Sequence, residues 1–389
     1  MSSGIGPFFS RLRSVCAPIA GRLLRRHPMP GAPALGLPAG RTVRACIDRA
    51  VRPLRSLHGM AAFLILLTLT AGLLAWLRYE NELNAGFSGY PEATRLVVIP
   101  PGSRTRDILR ILEKEGIIRN SWPSLVYLWW NRGKGGVHAG EYQFQRAISA
   151  KAAMNMLLEG RVFQHALTIP EGWNRFQIAG ILEARGMGTK ADLLKLLEDP
   201  APVRDLDARA TSLEGYLFPD TYFYTRGTSA REMILRLTRR FSRIFDEQRR
   251  KRAAELGWSI REVVTLASLI EKETALPSER PMISSVFHRR LKEGMRLQCD
   301  PTVIYASTMI GKFDGVIRQS DLALHSPYNT YQVAGLPAGP IASPGLASLD
   351  AALNPAQTNF LYFVARKDGS HQFSASVGEH NRAVALYRR

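Results

Sequence analysis

Between Met60 and Leu77 the chain carries no charged side chain, reading AAFLILLTLTAGLLAWL after the methionine. As a helix this run is about 27 Å long, close to the roughly 30 Å hydrocarbon thickness of a bilayer. Lipid satisfies no backbone polar group, so a run of this kind crosses as a single helix. The pattern predicts a transmembrane span over 60–78, with Trp76 and Tyr79 at the interfacial level. Residues 1–59 hold ten arginines, no lysine and one acid, Asp48, while Arg78-Tyr-Glu-Asn-Glu82 after the span is mixed in sign. Positive charge stays on the cytoplasmic side, so the N-terminus is expected in the cytoplasm and the C-terminal bulk in the periplasm, held by a single pass through the inner (plasma) membrane. The apolar run is long for a cleaved signal peptide, and no small-x-small cleavage site stands close behind it.

The net charge of +19 raises nucleic acid as a partner. About half of it sits in the Arg-rich head, which is interleaved with Pro and Gly and reads as a disordered cytoplasmic flank over 1–59. A nucleic-acid partner is therefore not expected. Cys16 and Cys46 fall on the reducing side and only Cys299 beyond the span, so no intramolecular disulfide is expected outside the cytoplasm.

After a tether over 79–93, Arg95-Leu-Val-Val-Ile-Pro-Pro-Gly102 reads as a strand closed by a turn. Ile99-Pro-Pro-Gly102, with Ile108, Ile111, Leu112, Glu113 and Gly116, recurs as Ile169-Pro-Glu-Gly172 with Ile178, Ile181, Leu182, Glu183 and Gly186. Each copy predicts strand, turn and a short helix ending near a glycine. Between the copies a helix is expected over Ser121–Trp130 and a hairpin around Gly140–Phe144. The aromatics Tyr127, Trp129 and Trp130 are expected in the core, although exposed rings of this kind also stack on sugars. Ser212 to Tyr224 holds five aromatics and two carboxylates, Glu214 and Asp220, in a stretch that Gly215 and Pro219 keep from being a regular helix. Arg231 to about Trp258 reads as a basic helical region.

The chemistry concentrates in Leu266-Ala-Ser-Leu-Ile-Glu-Lys-Glu-Thr274. Ser259 and Glu262 have the spacing of a reciprocal helix cap. Val263, Leu266, Leu269 and Ile270 form one stripe, with Glu273 roughly 50° and Glu271 roughly 110° from its centre. A carboxyl on the buried side loses hydration, which favours its protonated form. Glu273 is thus the better candidate acid, and Glu271 is expected at the margin, where water reaches it. A second helix is expected from near Ser278, making a hairpin across Pro277. Beyond Gly294 come polar loops, then the strands Phe360–Ala365 and His371–Ser374, and a terminal helix from His380-Asn381.

His288, His325, His371 and His380 lie at no metal-ligand spacing, no nucleophile elbow or phosphate loop is present, and no cofactor is expected. What remains is acid chemistry by a carboxylate among aromatic and amide residues, as at a carbohydrate site. Glu271-Lys-Glu-Thr274, Gln298-Cys-Asp-Pro-Thr302, Tyr328-Asn-Thr-Tyr331, Gly335-Leu-Pro-Ala-Gly-Pro340 and His380-Asn381 together resemble the YceG-like endolytic transglycosylases, which cut nascent peptidoglycan. The resemblance implies an α+β architecture, with a LysM-like module over 94–165 and a catalytic domain over 166–389. It implies Glu273 as the catalytic acid, transferring the bond to a 1,6-anhydro end, with peptidoglycan strands as substrate and peptidoglycan synthases as partners. Substrate contacts are expected from Glu271, Gln298, Tyr328, Asn329, Thr330, Tyr331, His371 and Asn381, with Glu214, Asp220 and Asp300 in binding or support. Two positions depart from the pattern: Cys299 stands where a hydroxyl residue is expected, and Ala338 where a second proline is.

Overall fold

The computed structural model describes residues 57–387 apart from 132, 134 and 135; the expectations for the Arg-rich head, Cys16 and Cys46 lie outside the described residues. The chain divides into two compact units, Met1–Glu80 and Asn81–Arg389. Helix α1 spans Leu57–Asn84. Its Gly59–Asn84 portion is, among the described residues, the one helix long and apolar enough to cross a membrane, with a mean hydropathy of 2.2 over its most apolar window.

The second unit begins with the stretch expected as a tether, and here the structure differs. Strand β1 (Gly86–Phe87) pairs with β4 (Ile148–Ser149), and Tyr90 is buried, its hydroxyl donating to the Gln145 carbonyl at 2.7 Å. A buried tyrosine with a satisfied hydroxyl fixes a segment that polar composition alone reads as linker. Strand β2 (Thr94–Ile99) points Val97 and Ile99 inward and Leu96 and Val98 outward, as a period of two requires. Helices α2 (Thr105–Lys114) and α3 (Ser121–Trp130) follow. Strand β3 (Gly140–Gln145) then returns antiparallel to β2, with Thr94 opposite Gln145 and Ile99 opposite Gly140. The expected local hairpin around Gly140 is therefore a long-range ladder that encloses both helices. Helix α4 (Ala150–Leu158) closes the module, capped by Ser149.

The expectation of a core aromatic cluster on α3 is also corrected. Trp129 and Trp130 are 57% and 80% exposed, because α3 turns Pro123, Ser124 and Leu128 inward and leaves its bulky rings on the other face. Tyr127 bonds Asn155 through its hydroxyl at 2.7 Å.

The repeat is real in three dimensions. Strand β5 (His165–Thr168) leads to α5 (Arg175–Ala184) as β2 leads to α2. In the first copy Gly116 donates to Glu113 and Ile117 to Leu112; in the second Gly186 donates to Glu183 and Met187 to Leu182. Both glycines have φ near +72°, so each helix stops in the same paired-bond motif with a left-handed residue after its last turn.

Helix α6 (Lys190–Glu198) follows, and β6 (Thr221–Tyr224) pairs antiparallel with β5. The basic region is two helices, α7 (Ala230–Ile244) and α8 (Glu247–Glu255), because Asp246 caps the second. Helix α9 (Ile260–Glu273) carries the predicted reciprocal cap of Ser259 and Glu262. Instead of one buried stripe, every residue from Val263 to Ile270 is buried. Ala267 and Ser268 are small enough to let a neighbour close on the side read as polar, and Ser268 spends its hydroxyl on the Thr265 carbonyl while accepting the Ile341 N–H. Around α9 pack α10 (Arg280–Lys292), α11 (Asp300–Met309) and α12 (Leu346–Leu353). The predicted helical hairpin across Pro277 forms through a short 3-10 turn. Strands β7 (Tyr362–Ala365) and β8 (His371–Ser374) pair as expected, and α13 (Val377–Tyr387) ends the described chain. The architecture is mixed helix and strand, with two-stranded antiparallel ladders at the edges of a helical centre.

Candidate active site

The buried length of α9 ends in two carboxylates with different company. Glu271 has only 6% of its side chain exposed and pairs with Arg280 at 3.0 Å, while accepting the Gly345 N–H at 2.9 Å. The margin of the stripe was expected to leave Glu271 open to water; its side chain lies instead against the buried Arg280. Arg280, 7% exposed, also reaches Glu171 at 3.6 Å. Burial, with Glu271 adding to it, raises the Glu171 carboxyl above the usual range.

Glu273, the last residue of α9, has no such salt bridge among the described residues. Burial pushes its carboxyl above the ordinary range, and the charge of Asp300 adds to the rise; the Cys299 thiol, His371 and Arg290 act against it. A carboxyl whose hold on its proton is raised by burial is suited to donating that proton. Both the helix argument and the resemblance picked this residue.

The loop between α10 and α11 brings the next groups. Gln298 has φ of +50°, a left-handed conformation held by its N–H on the Thr330 carbonyl at 3.2 Å, and its side chain is exposed. Cys299 is buried, its N–H donating to the Thr330 hydroxyl at 2.9 Å and its carbonyl accepting the Thr302 hydroxyl at 2.6 Å. Burial pushes the thiol well up, so it faces Glu273 as a neutral donor. Asp300 accepts the Tyr331 hydroxyl at 2.5 Å. From β8, His371 gives its backbone N–H to Glu279 at 2.8 Å and sets Nδ1 2.7 Å from the same carboxylate. Glu279 is pulled below its ordinary range, these bonds outweighing the burial that raises it.

The structure thus gathers Glu273, Asp300, Tyr331 and His371 with Gln298 nearby, and it assigns other predicted contacts to support. Asn329 is fully buried; its Nδ2 donates to the Leu322 and Leu324 carbonyls and its Oδ1 accepts the Tyr331 N–H, so it shapes the loop. Thr330 is fully buried against Thr302 and Cys299. Glu214 is buried, accepting the Arg175 N–H at 3.0 Å, and desolvation pushes its carboxyl up to about 7. Asp220 pairs with Arg240 at 2.9 Å beside β6. Tyr328 packs its ring 5.0 Å from that of Tyr305. Asn381 is exposed on α13. Polar residues that build a loop and polar residues that meet a ligand look alike in sequence; only their partners separate them.

Sequence reasoning missed Arg290 and Glu279 as parts of the site. Arg290 is buried, donates to the Leu361 carbonyl at 2.7 Å and the Leu297 carbonyl at 2.8 Å, and lies 5.1 Å from the Tyr362 ring centroid. A signal existed: Arg290 continues the helical spacing of Ile283, Val286 and Phe287, the buried face of α10. Ala338, where a proline was expected, gives its N–H to the Pro327 carbonyl at 3.0 Å, a bond that proline lacks.

The profile of the YceG-like family matches residues 97–386. A Bacillus subtilis protein named endolytic murein transglycosylase is 33% identical over 304 residues, covering 74% of this chain and 83% of its own length. A Streptococcus pneumoniae protein of the same name is 30% identical over 325 residues, and the match spans 57% of that longer protein. The crystal structure of a YceG-like protein from Listeria monocytogenes is 34% identical, with a TM-score of 0.52, covering 75% of this chain and all of that one. With residues 97–386 matched by the family profile and a relative 33% identical over 304 residues, the chain belongs to the YceG-like family.

Proposed function

We propose that the protein is a membrane-anchored endolytic murein transglycosylase in which Glu273 is the acid. The observation that carries this reading is the placement of the Glu273 carboxyl at the end of α9, within reach of Asp300 and His371, where burial raises its hold on a proton; the names of the Bacillus and Streptococcus relatives give the substrate class. Glu273 donates its proton to the oxygen joining N-acetylmuramic acid to N-acetylglucosamine. Positive charge develops at the muramyl C1 and ring oxygen, and the carboxylate left behind faces it. The muramyl C6 hydroxyl then attacks C1 and gives its proton back to Glu273, closing a 1,6-anhydro ring. Because the nucleophile belongs to the substrate, one carboxylate serves as acid and then base, whereas hydrolysis by a pair of carboxylates needs two.

The order β2-α2-α3-β3, two antiparallel strands enclosing two helices, supports a LysM-like role for 94–165. The apolar helix and the Arg-rich flank support an anchor with the catalytic part outside the cytoplasm, where peptidoglycan synthases supply new strands.

The test is mass spectrometry of products from uncrosslinked glycan strands incubated with the detergent-solubilised protein. The reading expects 1,6-anhydro ends, absent with Glu273→Gln. Reducing muramyl ends in their place make the enzyme a hydrolase, and intact strands with retained glycan binding make it a scaffold.

A further inference from the structure

A groove of about 560 Å³ between α5, α6, α9 and α11 has none of Glu273, Asp300, Tyr331 and His371 in its lining, and the proton transfer does not use it. The charged residues lining it are Lys190, from the first turn of α6, and Lys272, from α9, both cationic; Phe176, Tyr305 and Phe313 supply apolar surface and Gln177 an amide. The Lys272 ammonium gives one bond to the Gly172 carbonyl at 3.3 Å, which leaves two of its three donors for a ligand. No carboxylate lines the groove. Glu214 is not in the lining and accepts the Arg175 N–H through one carboxylate oxygen.

The groove's position follows from two adjacencies. Lys272 immediately precedes Glu273, and Pro301, also in the lining, immediately follows Asp300. On both elements the groove therefore starts one residue, about 3.8 Å of chain, from a group at the acid. In the proposed substrate, the ring whose C1 reacts carries at C3 a lactyl group extended by a short peptide. That peptide leaves the sugar within one ring of the reaction centre. It bears free carboxylates, amides and methyl groups, which match two ammonium groups, an amide side chain and aromatic rings.

We propose that this groove binds the stem peptide of the muramyl residue being cleaved, with peptide carboxylates on Lys190 and Lys272 and its apolar groups on Phe176, Tyr305 and Phe313. The inference rests on the glycan-cleaving reading and adds to it a preference for peptide-bearing over bare strands. The ion pairs lie at a solvent-facing rim, so the preference is modest, about fivefold to tenfold in kcat/KM.

The experiment gives the detergent-solubilised full-length protein two substrates, uncrosslinked strands carrying stem peptides and the same strands stripped of peptide by an amidase. Wild type should cleave the peptide-bearing strands about fivefold to tenfold more efficiently. Lys190→Glu should bring the ratio near one by raising KM for peptide-bearing strands alone, and Phe313→Ala should reduce it in the same direction; both should leave cleavage of stripped strands unchanged. Equal cleavage of the two substrates by wild type overturns the proposal, as does a Lys190→Glu variant that slows both equally, which would make the groove a sugar site. Anhydro products from stripped strands show in either case that the catalytic reading stands on its own. Failure to cleave either substrate removes that reading and this one together.

Discussion

Glu214 offers the most quantitative test of the fold beneath the site. It is 2% exposed, accepts the Arg175 N–H at 3.0 Å, and burial lifts its carboxyl from 4.5 to about 7. The folded state therefore holds this proton more tightly than the unfolded state does. Its contribution to stability is complete below about 4.5 and is lost as pH rises through about 7. At about 1.4 kcal/mol per pH unit, the loss between pH 4.5 and pH 8 is about 3 kcal/mol. Glu214→Gln removes the titration but keeps a carbonyl oxygen for the Arg175 N–H. Denaturant unfolding of both proteins in detergent, followed by tryptophan fluorescence at pH 4.5 and pH 8, should show the variant gaining about 3 kcal/mol on wild type across that interval. A difference that stays constant within about 1 kcal/mol would refute the reasoning, since Glu214 would then be ionised in the folded protein throughout.

Glu273→Gln should lower the cleavage rate by about 10² to 10⁴, the usual worth of a positioned acid. In wild type the rate should fall as rising pH ionises Glu273, with the fall displaced above the ordinary carboxylate range because burial raises that group; a pH-rate profile shows whether it is. Arg280→Ala strands the Glu271 carboxylate in a site 6% exposed and should destabilise the protein by about 3–5 kcal/mol, read from thermal unfolding. Glu271→Gln keeps the Gly345 N–H bond and should retain part of the activity. Gly215→Ala places a Cβ 2.5 Å from that of Pro340 at a φ of +84°. The backbone strain alone is about 1–2 kcal/mol, and the collision should keep the variant from accumulating as folded protein, as circular dichroism and expression yield will show.

Local signals carried far in this chain. The spacing of Ser259 and Glu262 forecast a helix start that the structure reproduces bond for bond, and the two glycine-ended repeats forecast identical helix ends. What depended on distant partners did not carry. Gly140–Gln145 pairs with Thr94–Ile99, a choice set by the two helices between them. Trp129 and Trp130 look like core by composition, yet α3 presents Leu128 inward. The single stripe on α9 set Glu273 towards the buried side, although every residue from Val263 to Ile270 proved to be buried, and Glu271 pairs with Arg280 from the following helix. Asn329 and Thr330 belong to the same motif as Tyr331, but burial turned them into loop supports.

Glu273 is also the final residue of α9, and that place has an electrostatic meaning of its own. The peptide dipoles of a helix add up to a partial negative charge at its C-terminal end, where the last carbonyls lack partners within the helix. A carboxylate there is opposed by its own backbone, by about 0.3–1 kcal/mol, whereas the same side chain in the first turn would be favoured. Part of the acid's hold on its proton thus comes from fourteen residues of helix and not from its neighbours. Replacing Cys299, Asp300, His371 or Arg290 would retune the acid, but this share of its proton affinity persists for as long as α9 ends where it does.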